Sequence, residues 1–294
     1  MSVEQVRPGL PSWLAQSHTH TPTQRWVVEL LAFAWHHAWA CVFPVFIFVC
    51  LTATHFITIP FLPRYDLLLA LCLGFQVLLY RSGWESADEV KVIAVFHALG
   101  LILELFKVHI GSWSYPDFAW TKVGGVPLFS GFMYASVASF MCQAWRRLDL
   151  IMVRWPSPWI AITLGASIYL NFFTNRLGFD LRWWITAGVV IAWWRTWVTY
   201  TTNGPRRRMP MVMSFFNIAF FVWLAENIAT FLGAWAYPHQ RDGWHPVHLA
   251  KLSSWSLLVI VSLIIVAELK RMKIRRHGLT HDVAANTLRL ISPG

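Results

Sequence analysis

Eight apolar stretches, each close to the length of a membrane-spanning helix, fix what this chain can become. They cover residues 27–51, 63–80, 90–110, 127–147, 157–174, 181–200, 209–232 and 248–270. Crossing a hydrocarbon core takes about 20 apolar residues, because a helix rises about 1.5 Å per residue and lipid offers its backbone no other partner. The second and fifth stretches are the shortest and are expected to tilt or to lie deep in the bundle. Only 13% of the residues are charged, against about 25% in soluble domains. The predicted fold class is therefore all-α, a polytopic membrane protein of about eight transmembrane helices.

The basic residues supply the orientation. With eight helices, the N-terminal arm, the second, fourth and sixth loops and the C-terminal tail share one side. Sixteen of the 24 Lys and Arg residues fall there, seven fall opposite, and Arg195 lies inside a helix. Positive charge collects on the cytoplasmic side, so both termini are expected in the cytoplasm. The net charge of +10 is thus a topology signal, and no nucleic-acid partner is expected. Residues 1–24 read as a polar cytoplasmic arm, with His18 and His20 solvated. The first apolar run is too long for a signal peptide. Residues 277–294 form a tail, and the basic run Lys270–Arg276 anchors the last helix.

A duplicated motif divides the rest. The third stretch ends Glu104, then Gly111-Ser112-Trp113-Ser114-Tyr115-Pro116, then Gly124-Gly125-Val126-Pro127. The seventh ends Glu226, then Gly233-Ala234-Trp235-Ala236-Tyr237-Pro238, then Gly243-Trp244-His245-Pro246. Both fit E-x6-G-x-W-x-Y-P followed by G-x-x-P. Stretches three and seven run the same way, which predicts two parallel four-helix repeats, 25–154 and 155–276, related by an axis along the membrane normal. Each glutamate then lies two turns, roughly 10 Å, beneath the outer loop.

A carboxyl at that depth is costly unless it faces a cavity or has a partner. Two at matching depth are candidates for a shared acid/base site, because a general acid is a group that holds its proton until the substrate needs it. The plainer role is that each accepts hydrogen bonds from Trp or Tyr and pins helix ends together. His97, Glu104, Lys107 and Gly111 share one helix face, and Lys107 is placed to pair with Glu104. Glu226 has only Asn227, Ala229 and Thr230 along its own helix, which makes it the first candidate proton donor. Glu104 is the second carboxyl, and His97 is either a participant or a buried, satisfied histidine. Trp113, Tyr115, Trp235 and Tyr237 are interface anchors or an aromatic wall around a substrate, with Lys107 and Asn227 beside them.

The remaining candidates are weaker. Cys41, Cys50, Cys72 and Cys142 lie in apolar runs and read as small buried hydrophobes. His239, His245 and His248 crowd the second outer loop, but their spacing matches no recognised closed metal site. No dinucleotide, phosphate or nucleophile motif is present, so no cofactor is expected.

The run from Glu104 to Pro116, the histidine-rich second copy and the length resemble the uncharacterised bacterial membrane family catalogued as domain of unknown function 817. That resemblance covers residues 25–276 and implies a bacterial cytoplasmic (inner) membrane location, but no activity. Glu104, Gly111, Trp113, Tyr115 and Val126-Pro127-Leu128 are also similar to the pattern of membrane-bound carotenoid hydratases and small lycopene cyclases. Those proteins carry a Pro two residues before the Glu, where this chain has Ile102 and Leu224. The resemblance implies protonation, isomerisation, cyclisation or hydration of an isoprenoid or other apolar lipid. The alternative is a transporter or binding protein for a lipid or small molecule, using the same acidic site. An elongated apolar tunnel favours the enzyme, a polar path open to both sides favours transport, and a structural factor needs no cavity.

Overall fold

The computed structural model describes Pro11 and residues 22–174, 180–202, 206–240 and 242–277, with side chains of the last helix described as far as Ala267. Residues 1–10 and 12–21 of the polar arm, with His18 and His20, and the tail beyond His277 lie outside the described residues. Nine α-helices are found among the described residues: α1 Pro22–Ala40, α2 Val42–Phe56, α3 Arg64–Arg81, α4 Ala87–His109, α5 Ser130–Arg147, α6 Pro158–Thr174, α7 Arg182–Trp193, α8 Met211–Phe231 and α9 Lys251–His277. Two of them, α4 and α8, are long and apolar enough to cross a membrane. The pair α1 and α2, bent by 64°, gives a third if it forms one span.

The first stretch is not the continuous helix expected over 27–51. It breaks at Cys41, between α1 and α2. Pro44 explains the break, because it has no N–H to donate and its ring would clash with the carbonyl of Ala40 in an unbroken helix.

The chain is mostly helical, as expected, but short strands replace the ends of some expected helices. Residues 181–200 were expected to form one helix, but α7 stops at Trp193 and Trp197–Tyr200 forms a strand. With 12 residues, α7 is about 18 Å long, short of a bilayer core. The β-branched and aromatic run Trp197-Val198-Thr199-Tyr200 suits a strand better than a helix. It is the centre of an antiparallel sheet, β3 Ile151–Val153, β4 Trp197–Tyr200 and β5 Arg207–Pro210. The helix expected from 209 therefore begins only at Met211, after the strand that ends on Pro210. A second hairpin, β1 Lys122–Val123 with β2 Val126–Pro127, precedes α5.

Packing is closest between α4 and α5 and between α8 and α9, and α9 also packs on α6. Gly100 lets α5 approach α4: a Cβ there would lie 2.5 Å from the Tyr134 ring. That approach aims Tyr134 at the site.

Candidate functional site

Both copies of the motif end their helix in the same turn. At the end of α4, Ile110 N–H donates to the Phe106 carbonyl, Gly111 to Val108 and Ser112 to Lys107; at the end of α8, Leu232 donates to Ile228, Gly233 to Thr230 and Ala234 to Ala229. Gly111 and Gly233 have φ of 68° and 69°, the left-handed C-cap that glycine takes without a Cβ penalty. Each chain then leaves extended. Ser114 and Ala236 exchange two backbone hydrogen bonds of 3.0 Å, so the two motif copies meet. Alternate residues of an extended segment share a side, which turns Trp113 and Tyr115 together toward Glu104.

Glu104 is buried and accepts three hydrogen bonds. Trp113 Nε1 donates to Oε2 at 2.7 Å, Tyr115 OH to Oε2 at 2.8 Å and Tyr134 OH to Oε1 at 2.8 Å. Glu226 is equally buried. It accepts from Tyr237 OH on Oε1 and from Trp255 Nε1, on α9, on Oε2. Burial first, and the adjacent glutamate second, push the Tyr115 and Tyr237 hydroxyls well above the ordinary phenol range, so both remain protonated donors. The Trp113 and Tyr237 rings meet edge to face at 6.0 Å, across the two copies.

The expectation that Glu226 lacks a cationic neighbour is corrected by tertiary structure. Lys251, at the start of α9, lies within electrostatic reach of Glu226. Its ammonium sits 4.5 Å from the Tyr237 ring centre and 5.7 Å from that of Trp113. Lys107 is buried, 5.9 Å from the Phe172 ring of α6.

A cavity of about 1620 Å³ joins these groups. At one end it is lined by Glu104, Glu226, Lys107, Lys251, Tyr134 and Tyr237, with Trp113, Trp235, His239 and His248 also there. From there it runs between apolar side chains such as Met133, Val137, Phe140, Ile218 and Val222 toward Phe33, His37 and Met209 near the sheet.

The other sequence candidates stand outside the cavity lining or at its edge. His97 lies against Phe132, at 4.6 Å between ring centres, and its Nδ1 is buried without a partner among the described residues. Asn227 is tied up structurally: its Nδ2 donates to the Trp223 carbonyl and its Oδ1 accepts from Val247 N–H. Tyr115 reaches the site through Glu104 and does not line the cavity. His239 stacks on Tyr237 and lies 5.2 Å from the His248 ring. Desolvation, then neighbouring His248, His245 and Lys251, hold its imidazole below the ordinary histidine range. His245 gives its backbone carbonyl to Gln240. Among the described residues, no three His, Cys, Asp or Glu side chains are grouped to hold a metal.

Sequence reasoning missed Tyr134, Trp255 and Lys251. Each comes from the helix that follows its motif copy, where no local spacing links it to a glutamate.

Fold and site together define a predominantly helical protein with apolar helices fit to cross a membrane and a paired-glutamate cavity between them. The chain belongs to the family described as protein of unknown function (DUF817), whose model matches residues 29–263. It is 57% identical over 249 residues to uncharacterized protein YoaT of Bacillus subtilis (strain 168), covering 85% of this chain and 94% of that protein. A crystal structure of a cross-linked MvINS trimer is similar at 18% identity and a TM-score of 0.45, covering 64% of this chain and 97% of that one.

Proposed function

We propose that the protein spans the bacterial cytoplasmic membrane, with both termini in the cytoplasm, and that its cavity binds a long apolar lipid of isoprenoid type whose unsaturated end lies at Glu104 and Glu226. In this reading the chain crosses eight times in two parallel halves, with α1 and α2 counted as one bent crossing and the short α7 met by local thinning of the bilayer. The surplus of Lys and Arg in alternate loops supports the orientation. Chemistry at the site is acid/base: Glu226 adds a proton to a double bond and Glu104 receives one from a neighbouring carbon. Trp113, Trp235 and Tyr237 wall the cationic intermediate.

The observation that carries the proposal is the cavity itself, apolar along its length and acidic at one end. At about 1620 Å³ it exceeds the roughly 300–1,000 Å³ of pockets for drug-sized ligands. A second reading, binding or transport without chemistry, has its own support. Every carboxylate oxygen of both glutamates already accepts a hydrogen bond, as in a site built to hold a ligand in place.

The experiment is incubation of the purified protein with membrane lipid extract in D2O, followed by mass spectrometry. Acid/base chemistry predicts deuterium on carbon in an isoprenoid fraction, lost in Glu226→Gln. Co-purified lipid without deuterium would favour binding or transport. Equal deuterium with wild type and Glu226→Gln would remove Glu226 from the chemistry.

A further inference from the structure

Two helix faces bound the cavity on its lipid side. On the bent pair, Ala34, Ala38, Cys41, Val45 and Phe48 line it at spacings of three and four, the period of one helix face. On α8, Ser214, Asn217, Phe221 and Ala225 do the same. Several of these lining residues are also exposed. Val45 and Phe221 keep 53% and 68% of their surface accessible, so the wall they form is open to the outside.

Polar latches tie the two faces at their ends. At the outer end, His55 of α2 bonds the Leu232 carbonyl, and Arg64 donates to Leu232 and Gly233 at 2.7 and 3.1 Å. At the sheet end, His36 of α1 bonds the Thr202 carbonyl and Arg207 pairs with Glu29 at 2.6 Å. Between the latches, Ala38 is the small lining residue of the bent pair, and Asn217 and Phe221 line the cavity from α8.

One polar feature in this slot is unexplained by packing. Ser214 Oγ is buried without a hydrogen-bond partner among the described residues. Asn217, one turn on, lines the cavity beside it. A buried hydroxyl without a partner costs free energy that a ligand's polar group would offset. Ser214 lies twelve residues from Glu226 on the same helix, about 18 Å along it.

We propose that the slot between the bent α1–α2 pair and α8 admits a single-chain amphiphile from the bilayer, tail toward the glutamates. Its hydroxyl, carbonyl or carboxyl head rests on Ser214 and Asn217. This rests on the lipid-cavity reading above and adds the route, the orientation and the head group. An apolar rim facing hydrocarbon selects a ligand already dissolved in the membrane. The 18 Å between sill and glutamates selects one long chain over a compact solute.

The test uses two photoactivatable fatty acids in phosphatidylcholine vesicles holding the full-length protein. One carries its diazirine at the tail end, the other next to the carboxyl. The tail probe is expected to mark Met133 and Val137, beside Tyr134, and the head probe Phe215 and Ile218. Ala38→Trp should fill the slot and lower labelling of Met133 at least tenfold, while Trp159 and Leu170, exposed on α6, label as before. Ser214→Ala with Asn217→Leu should scatter the head probe without closing the slot. Interior labelling untouched by Ala38→Trp, or identical labelling by both probes, would overturn the route and orientation yet leave a lipid-filled cavity. No interior labelling by either probe would remove the lipid-cavity reading as well. The two-probe comparison needs only wild-type protein, so a folding defect in Ala38→Trp does not block the test.

Discussion

Glu104→Ala removes the acceptor for three donors at once, and the geometry sets what that costs. Trp113 Nε1, Tyr115 OH and Tyr134 OH converge on the carboxylate at 2.7–2.8 Å. Each orphaned buried donor costs about 1–3 kcal/mol in soluble proteins, and hydrogen bonds inside membranes average about 0.6 kcal/mol. For three donors the loss should therefore be roughly 2–9 kcal/mol. Glu104→Gln should cost less, about 1–2 kcal/mol. Its carbonyl can take the Oε2 position, where the indole N–H demands an acceptor. Its amide then faces Tyr134, whose hydroxyl can turn to accept. Thermal midpoints in mild detergent give the comparison, at about 2–4 °C per kcal/mol for a protein of this order of size. Alanine should lower the midpoint by several degrees more than glutamine. A cycle of Glu104→Gln with Trp113→Phe should show coupling, since both touch one hydrogen bond. Equal midpoints for wild type and alanine variant, or a glutamine variant as unstable as alanine, would refute the reasoning.

Three further outcomes follow from local structure. Gly111→Ala should destabilise by about 1 kcal/mol through its positive φ alone, since no atom lies within 4 Å of the new methyl; Gly74→Ala, in open space on α3, should be neutral or slightly stabilising in the same melting assay. Glu85, 2% exposed, accepts from Gln76 and Ser139 at 2.5 Å each; Glu85→Ala should cost about 2–4 kcal/mol, and an unchanged midpoint would show those bonds contribute nothing. Reporter fusions after Gly204 and after Arg276 should read as cytoplasmic and one between His239 and Trp244 as external; a cytoplasmic reading at His239 would sink the eight-crossing topology.

What the sequence made legible was what sequence spacing controls. Glu104 and Gly111, seven residues apart, placed a carboxyl two turns below a turn, and the same spacing served Glu226 and Gly233. The helical segments followed from apolar length. Strands were hidden because Trp197–Tyr200 is apolar enough to extend a helix, and its partners Ile151–Val153 and Arg207–Pro210 are not adjacent to it in register until the chain folds. The break at Cys41 was legible in Pro44 but hidden by the unbroken apolar run around it. Tyr134, Trp255 and Lys251 were out of reach, because their contact with the glutamates depends on how α5 and α9 pack. Glu85, in the connection between α3 and α4, was passed over for the same reason: its partners Gln76 and Ser139 come from two helices, α3 and α5.

The two glutamates share a turn but not their neighbours: Lys107 lies on the helix of Glu104, three residues on, and Lys251 comes to Glu226 from α9. Glu104 is held by three neutral donors. Glu226 is held by two, with an ammonium nearby that also covers the rings of Trp113 and Tyr237. An attraction between opposite charges in a poorly hydrated site is far stronger than at a surface, so Lys251 should depend on Glu226 and hardly on Glu104. Lys251→Met retains much of the aliphatic stem that packs on the rings and removes the charge. It should destabilise wild type by more than it destabilises Glu226→Gln, giving a coupling of at least about 0.5 kcal/mol. The same cycle with Glu104→Gln should be close to additive. Equal coupling to both glutamates would mean that the ammonium sits between them as a shared counter-ion. A coupling confined to Glu226 would mean that its carboxyl is ionised beside the ammonium at rest, which counts against proton donation by Glu226 and favours the binding reading.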